Sequence, residues 1–259
     1  MERLRIDHVD IVTSHICNKH CTHCIDKFLG TTKEMIKLED IKKFLDLIKT
    51  VTSKQLEVLL LGGEPTVLPK DKLIEIAELI HDEDYKAIMS TNGILRKKII
   101  DILPYYDSIQ VTVENDQDID FYRNWPDKIN IKLAGDERLD MEKLEHFIKY
   151  TEGFDRRSIS MYFTPDFIEL CNDKEVWDLL NTLNWQRNGS YLYTFYEGVR
   201  IKKCVHGETN IVDEPTVPKL YPNGNYNKTW NDEELDDYLS LPGDSWVKRK
   251  ALYVPKHIK

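Results

Sequence analysis

Cys17, Cys21 and Cys24 stand at C-x3-C-x2-C spacing, directly after the short apolar run Val9 to Val12. Thiolates are the usual ligands of iron–sulfur clusters, and an all-cysteine 4Fe–4S site takes four of them. Three on one loop would hold three corners of the cube and leave the fourth iron open to a small molecule. An open metal position is what separates a catalytic metal site from a closed structural one. A structural zinc site is a second reading, with His15, His20 or His23 as the fourth ligand, although zinc motifs usually arrive as two separated ligand pairs. A disulfide framework is a third. Five cysteines in 259 residues, with no apolar signal core behind Met1-Glu2-Arg3-Leu4-Arg5, read instead as thiols of a reducing, cytoplasmic compartment. The spacing alone leaves cluster and zinc open.

Two further stretches bear on the choice. Leu61-Gly62-Gly63-Glu64-Pro65 closes the apolar run Leu56 to Leu61, and Ser90-Thr91-Asn92-Gly93 follows Tyr85 to Met89. Either alone is a tight turn before a helix. Together with the cysteine loop, in this order and each at a strand end, they resemble the radical S-adenosylmethionine (radical SAM) superfamily over roughly residues 8–185.

The resemblance implies cofactors and roles. Cys17, Cys21 and Cys24 would ligate three irons of one 4Fe–4S cluster, and the amino and carboxylate groups of SAM would chelate the fourth. Reductive cleavage of the sulfonium C5′–S bond would give a 5′-deoxyadenosyl radical that takes a hydrogen atom from substrate, with the protein supplying position and dryness. Gly62, Gly63, Glu64 and Pro65 match the stretch that meets the SAM amino group. There the glycines would admit a close backbone approach, and Glu64 would accept from the ammonium. Ser90, Thr91 and Asn92 match the ribose-binding strand end. Thr112 and Glu114 resemble a serine and an acid on the fourth strand, the threonine keeping the hydroxyl. Lys132 resembles a basic residue that pairs with the SAM carboxylate; taken alone it is a surface lysine at a strand end. His23 departs mildly from the other aromatic that the family usually places beside adenine. An electron donor such as flavodoxin or ferredoxin is also implied. These motifs specify the cofactor and say almost nothing about the substrate.

Strand ends must carry these residues, and the sequence alternates accordingly. Strands are expected at 8–14, 56–61, 85–89, 108–113, 129–133 and 158–163. Between them lie helical patterns: Ile41, Phe44, Leu45 and Ile48 on one face, then Leu73, Ile76, Ala77 and Ile80. A third helix is expected over 94–103, and two more follow, one with Met141, Leu144, Phe147 and Ile148 aligned, one with Val176, Leu179, Leu180 and Leu183. The nearly unbroken apolar run 56–61 reads as a strand buried on both faces of a parallel sheet. Six strand–helix alternations predict an α/β protein with parallel strands and right-handed crossovers. Radical SAM enzymes have such a partial (βα)6 barrel. By analogy with closed barrels, the site belongs at the C-terminal strand ends.

Hydrophobic residues make up 41% of the chain, enough for a substantial core, and no apolar run approaches the roughly 18 residues that cross a membrane. The net charge of −9 weighs against a broad basic nucleic-acid face. Residues 1–187 are read as the core domain and 188–259 as an extension that closes the barrel or shapes the substrate site. Strands are expected at 190–199 and 200–204, a short acidic helix at 230–241 and a basic end over 245–259. Cys171 and Cys204 are spare thiols, read first as buried small apolar groups and second as hydrogen-atom donors. Their number and placement do not suit a second cluster. Tyr191, Tyr193, Tyr196 and Arg200 suit a stacked base or a peptide, or a strand with one core face. Three functions follow: radical chemistry on a nucleotide or modified nucleobase; epimerisation, cross-linking or rearrangement of a peptide or small molecule; or a non-catalytic iron–sulfur or zinc scaffold.

Overall fold

The computed structural model describes residues 6–21, 24, 34–49, 52–162, 171–188, 191–204 and 219–227. The alternation runs β1 (Ile6–Val12), α1 (Leu38–Ile48), β2 (Thr52–Leu61), α2 (Lys70–Asp82), β3 (Lys86–Thr91) and α3 (Arg96–Ile102). It continues with β4 (Ser108–Val113), α4 (Asp116–Tyr122), β5 (Ile129–Gly135), α5 (Met141–Tyr150), β6 (Arg157–Met161) and α6 (Lys174–Thr182). Strands β1 to β6 lie side by side in chain order, every pair parallel. This is the expected α/β architecture of the partial (βα)6 type.

The C-terminal part adds β7 (Gln186–Asn188), β8 (Tyr191–Tyr196), β9 (Val199–Cys204), β10 (Lys219–Leu220) and β11 (Tyr226–Asn227). The sheet order is β11-β10-β1-β2-β3-β4-β5-β6-β9-β8-β7. The described strands of the extension therefore lengthen the sheet at both edges: β10 runs parallel to β1, and β9 parallel to β6. Glu197 and Gly198 both have positive φ, 46° and 75°, and form the two-residue turn between antiparallel β8 and β9. Such a turn matches the twist of the strands it joins. The expected acidic helix at 230–241 and the basic end at 245–259 lie outside the described residues.

Pleating gives the sheet two different faces. One carries Val9, Ile11, Val58, Leu60, Met89, Val111, Ile131 and Ile159, all fully buried in the main core. Against this core pack the apolar stripes of the helices, Ile41, Phe44, Leu45 and Ile48 from α1 and Leu73, Ile76, Ala77 and Ile80 from α2. Full burial of each large side chain stabilises by about 1.5–3 kcal/mol, so this face supplies most of the driving force. The opposite face is polar from β3 onward, with Ser90, Gln110, Thr112, Asn130, Lys132, Ser158 and Ser160 alternating with the core residues. Strand β2 is thus covered fully on one face only: Val58 and Leu60 are buried, while Leu59 and Leu61 are half-buried on the polar side. Its four added N-terminal residues, Thr52 to Gln55, are too polar for the apolar run to have marked them.

Capping fixes where several helices begin. Asn115 accepts from the Asp118 N–H at 3.1 Å, Asp140 from the Lys143 N–H at 2.7 Å and Asp173 from the Val176 N–H at 2.9 Å. Each such cap contributes about 1 kcal/mol. The first of them starts α4, a short helix that the sequence reading did not identify.

Candidate active site at the C-terminal strand ends

The cysteine loop leaves β1 and is pinned at once to the end of β2. Thr13 donates to the Leu61 carbonyl through both its N–H, at 2.7 Å, and its Oγ1, at 3.1 Å. The Gly63 N–H donates to the Ser14 carbonyl at 2.7 Å, and the Glu64 N–H to the Ile16 carbonyl at 2.9 Å. Here the glycines have a reason that the sequence did not supply. A Cβ on Gly62 would lie 2.5 Å from the Ser14 carbonyl oxygen, and one on Gly63 only 2.3 Å from that of Ile16. Gly62 also has φ +130°, a conformation that favours glycine. The close approach these residues allow is between two stretches of backbone, which seats the cysteine loop directly on the sheet.

Cys17, Cys21 and Cys24 are all partly exposed on this loop, none of them in a disulfide. The Cys24 N–H reaches the Cys21 carbonyl at 3.4 Å, and the Asn92 side-chain amide lies 3.9 Å from the Cys17 sulfur. The same amide donates to Asn18 Oδ1 at 2.8 Å, tying the loop to the end of β3. Among the described residues, no three His, Cys, Asp or Glu side chains are gathered as ligands of a single metal ion. His23 lies outside the described residues. Three accessible thiols on one loop, beside a backbone cradle that leaves no room for a Cβ, are a donor set that fits an iron–sulfur cluster.

Glu64 is almost wholly buried, at 1% exposure, and is fully engaged by the protein itself. Its Oε1 accepts from the Thr66 N–H at 2.9 Å, Thr66 Oγ1 at 2.6 Å and Thr91 Oγ1 at 2.6 Å, and its Oε2 accepts from the Asn92 N–H at 2.7 Å. The carboxylate therefore ties the end of β2 to the end of β3. Pro65 is buried at the start of the short helical turn Pro65–Val67, which Glu64 caps.

Lys132 on β5 is no surface lysine. It is 8% exposed, on the polar face, with its ammonium 3.4 Å from Ser90 Oγ and no carboxylate ion pair among the described residues. Burial pushes its pKa down to about 8, against the opposing pull of Glu64 and Cys21. Thr112 is its register partner on β4 and lies half-buried on the same face. Ser108 Oγ, Asn130 Oδ1 and Ser160 Oγ are buried with no hydrogen-bond partner among the described residues. Native interiors pair such atoms with protein, water or ligand, so this face is built to meet something polar.

Glu114, just past β4, accepts from Lys19 Nζ at 2.6 Å and from Arg138 Nη1 at 2.9 Å. These two bonds, Lys19 first, hold its carboxyl below the usual range. Arg138 in turn grips the buried Asp136 with two nitrogens, at 3.1 and 2.6 Å. The cysteine loop is thereby linked to the ends of β4 and β5. Lys19, Asp136 and Arg138 escaped the sequence reading: they sit in loops, where no periodicity marks a side chain's direction. Cys171 is 3% exposed within the core and donates to the Leu139 carbonyl at 3.4 Å, in keeping with the small-apolar reading. The side chain of Cys204 is outside the described set.

The Radical SAM superfamily matches residues 11–132. A Methanocaldococcus jannaschii protein named as a glycyl-radical enzyme activating enzyme is 26% identical over 161 residues, covering 54% of this chain and 61% of its own. The GTP 3′,8-cyclase of Helicobacter pylori is 23% identical over 218 residues, covering 80% of this chain and 62% of its own. An S-adenosylmethionine-dependent nucleotide dehydratase of Fibrobacter is 23% identical over 115 residues, 40% of this chain and 34% of its own. The match thus spans less than two thirds of each relative's length. Among solved structures, Streptococcus suis SuiB, bound to the precursor peptide SuiA, superposes with a TM-score of 0.59 at 14% identity, over 95% of this chain and 65% of that one. These matches support membership of the radical SAM superfamily, whose model covers just under half of the chain. The family uses SAM and an iron–sulfur cluster, and no helix among the described residues is long and apolar enough to cross a membrane.

Proposed function

We propose that this enzyme binds one 4Fe–4S cluster through Cys17, Cys21 and Cys24 and acts on a nucleotide or modified nucleobase. The observation that carries the reading is the seating of the three-thiol loop on the Gly62–Gly63 turn, with Gly63 and Glu64 N–H groups bonded to the Ser14 and Ile16 carbonyls. When bound, cluster and SAM together supply the reductive cleavage that yields a 5′-deoxyadenosyl radical for hydrogen abstraction.

The chain's own residues have assignable tasks. Lys132, a buried ammonium with no carboxylate partner among the described residues, is the group for the SAM carboxylate. Ser90 and Thr112 on the same face offer hydroxyls to the ribose, and Asn92 spans that end of the site and the cysteine loop. Thr91 and Glu64 act as positioning residues that join β2 to β3. Glu114 would meet the ribose only from within its pairs with Lys19 and Arg138. His23 is assigned to the adenine. Residues 1–187 form the catalytic core and 188–259 shape the substrate site. A flavodoxin or ferredoxin delivers the electron, in the cytoplasm. Two relatives named for nucleotide chemistry support the substrate class.

The test is anaerobic reconstitution with iron and sulfide, metal analysis and electron paramagnetic resonance of the reduced protein. Four irons per chain and a spectrum altered by SAM, both lost in Cys21→Ala, support the assignment. Zinc without iron would overturn it.

A further inference from the structure

The polar face does not stop at the six-stranded core. Register pairs Lys132 with Ser158, Ser158 with Arg200, and Arg200 with Phe195, making one row across β5, β6, β9 and β8. The next row runs from Ala134 through Ser160 and Lys202 to Tyr193. The core-side alternates Ile159, Val199 and Ile201 are buried, so these rows share the face that holds Lys132. They contain three cations and no aspartate or glutamate.

Ser160 is 5% exposed, and its Oγ has no partner among the described residues. A buried hydroxyl without a partner is costly unless a ligand or water completes it. Its register neighbour on β9 is Lys202. Arg200 lies two residues away, exposed and without a carboxylate partner among the described residues, its guanidinium 5.1 Å from the centre of the Tyr193 ring. Phe195, directly across from Arg200, is 60% exposed, so its ring face is open to a ligand.

We infer that this seam of β6, β9 and β8 is a substrate subsite for a nucleoside phosphate, the phosphate meeting Ser160, Arg200 and Lys202 and the base stacking on Phe195. A guanidinium fork and a hydroxyl suit phosphate oxygens, and an exposed aromatic ring is a platform for any base. Adjacent strands are about 4.8 Å apart, so Lys132 and Arg200 are separated by two strand spacings, roughly 10 Å at the backbone. A nucleotide can therefore occupy the β9 side while SAM occupies the side of Lys132. The inference rests on the radical SAM reading and specifies its substrate as the phosphorylated nucleotide rather than the free base or a peptide.

The experiment is calorimetric titration of the reconstituted enzyme, with and without SAM, using ATP, GTP, CTP, UTP, the four nucleosides and a glutamate-rich decapeptide as probes. At least one nucleotide should bind, its nucleoside at least tenfold more weakly. Arg200→Gln and Lys202→Gln should each raise that nucleotide's Kd about tenfold, and Ser160→Ala about fivefold, with circular dichroism unchanged. No nucleotide binding, equal affinity for nucleotide and nucleoside, indifference to both charge substitutions, or preference for the acidic peptide would each overturn the subsite. The same preparations are scored for the SAM-induced change in paramagnetic resonance. That change without nucleotide binding defeats the subsite alone; nucleotide binding without that change defeats the cofactor reading alone.

Discussion

Replacing Glu64 by glutamine separates a residue that ties two strand ends together from one that merely awaits the SAM amino group. In the structure the carboxylate accepts four hydrogen bonds, three at Oε1 and one at Oε2, while 1% exposed. Glutamine keeps one oxygen. If that oxygen takes the Oε1 place, the new NH2 confronts the Asn92 N–H, a donor against a donor. If it takes the Oε2 place, three donors lose their acceptor. The first arrangement is the cheaper. It loses one hydrogen bond to a charged group, which contributes about 1.5–3 kcal/mol, and leaves a buried donor unsatisfied at a cost of about 1–3 kcal/mol. These overlap, so the expected loss is about 3 kcal/mol. For a chain of this size that lowers Tm by roughly 6–12 °C. Differential scanning calorimetry of Glu64→Gln, Thr91→Val and the double variant measures it. The double variant should fall by less than the sum of the singles, because glutamine already weakens the 2.6 Å bond that Thr91→Val removes, a neutral amide oxygen replacing the charged acceptor. A glutamine variant within about 1 °C of the parent would refute the account of Glu64.

Other substitutions test other contacts. Gly63→Ala should push the Ile16 carbonyl away, destabilise by about 1–3 kcal/mol and reduce the iron recovered on reconstitution, read by metal analysis. Asp10 is buried; burial alone would raise its pKa, but the Lys219 charge and His8 hydrogen bond outweigh it and hold it below the usual carboxylate value. Its stabilisation is therefore complete above the ordinary aspartate pKa and is lost as pH falls through the depressed one. Urea titrations from pH 6 to pH 2 should show that acid limb flattened in Asp10→Asn, which at neutral pH costs about 3 kcal/mol by leaving Lys219 buried opposite an uncharged group. Lys19→Met should change global stability by less than about 1 kcal/mol, since its pair with Glu114 is half-exposed. It should nonetheless speed hydrogen exchange across residues 17–21, because it frees the cysteine loop from the end of β4.

Much of the core was legible because its periodicity is strong. The α1 stripe from Ile41 to Ile48 and the strand Ser108–Val113 stand where spacing placed them. Short elements were not legible. Helix α4 presents only Ile119 and Tyr122 to the core, too few for a periodic signal, and its evidence lay in the Asn115 cap. Strands β7, β10 and β11 are two or three residues long and exist through pairing with distant strands, which local sequence does not encode. The hairpin of β8 and β9 was placed with its turn one to three residues late, because Glu197 before Gly198 is an uncommon residue at positive φ. In the site, residue types announced the cysteines and the glycines. Their contacts required the fold: Gly63 against Ile16, Glu64 against Thr91, and Lys132 as a buried cation rather than an exposed one.

The central claim is that the thiol loop and the adjoining strand ends perform radical SAM chemistry. The most direct measurement is the quantity of 5′-deoxyadenosine formed when reconstituted enzyme is reduced by dithionite with SAM and each candidate nucleotide present. The account predicts product above the parent's background with at least one nucleotide, abolished in Cys21→Ala, with deuterium carried into 5′-deoxyadenosine from the labelled nucleotide. A preparation holding four irons, whose spectrum responds to SAM, and which forms no 5′-deoxyadenosine with any nucleotide would contradict it.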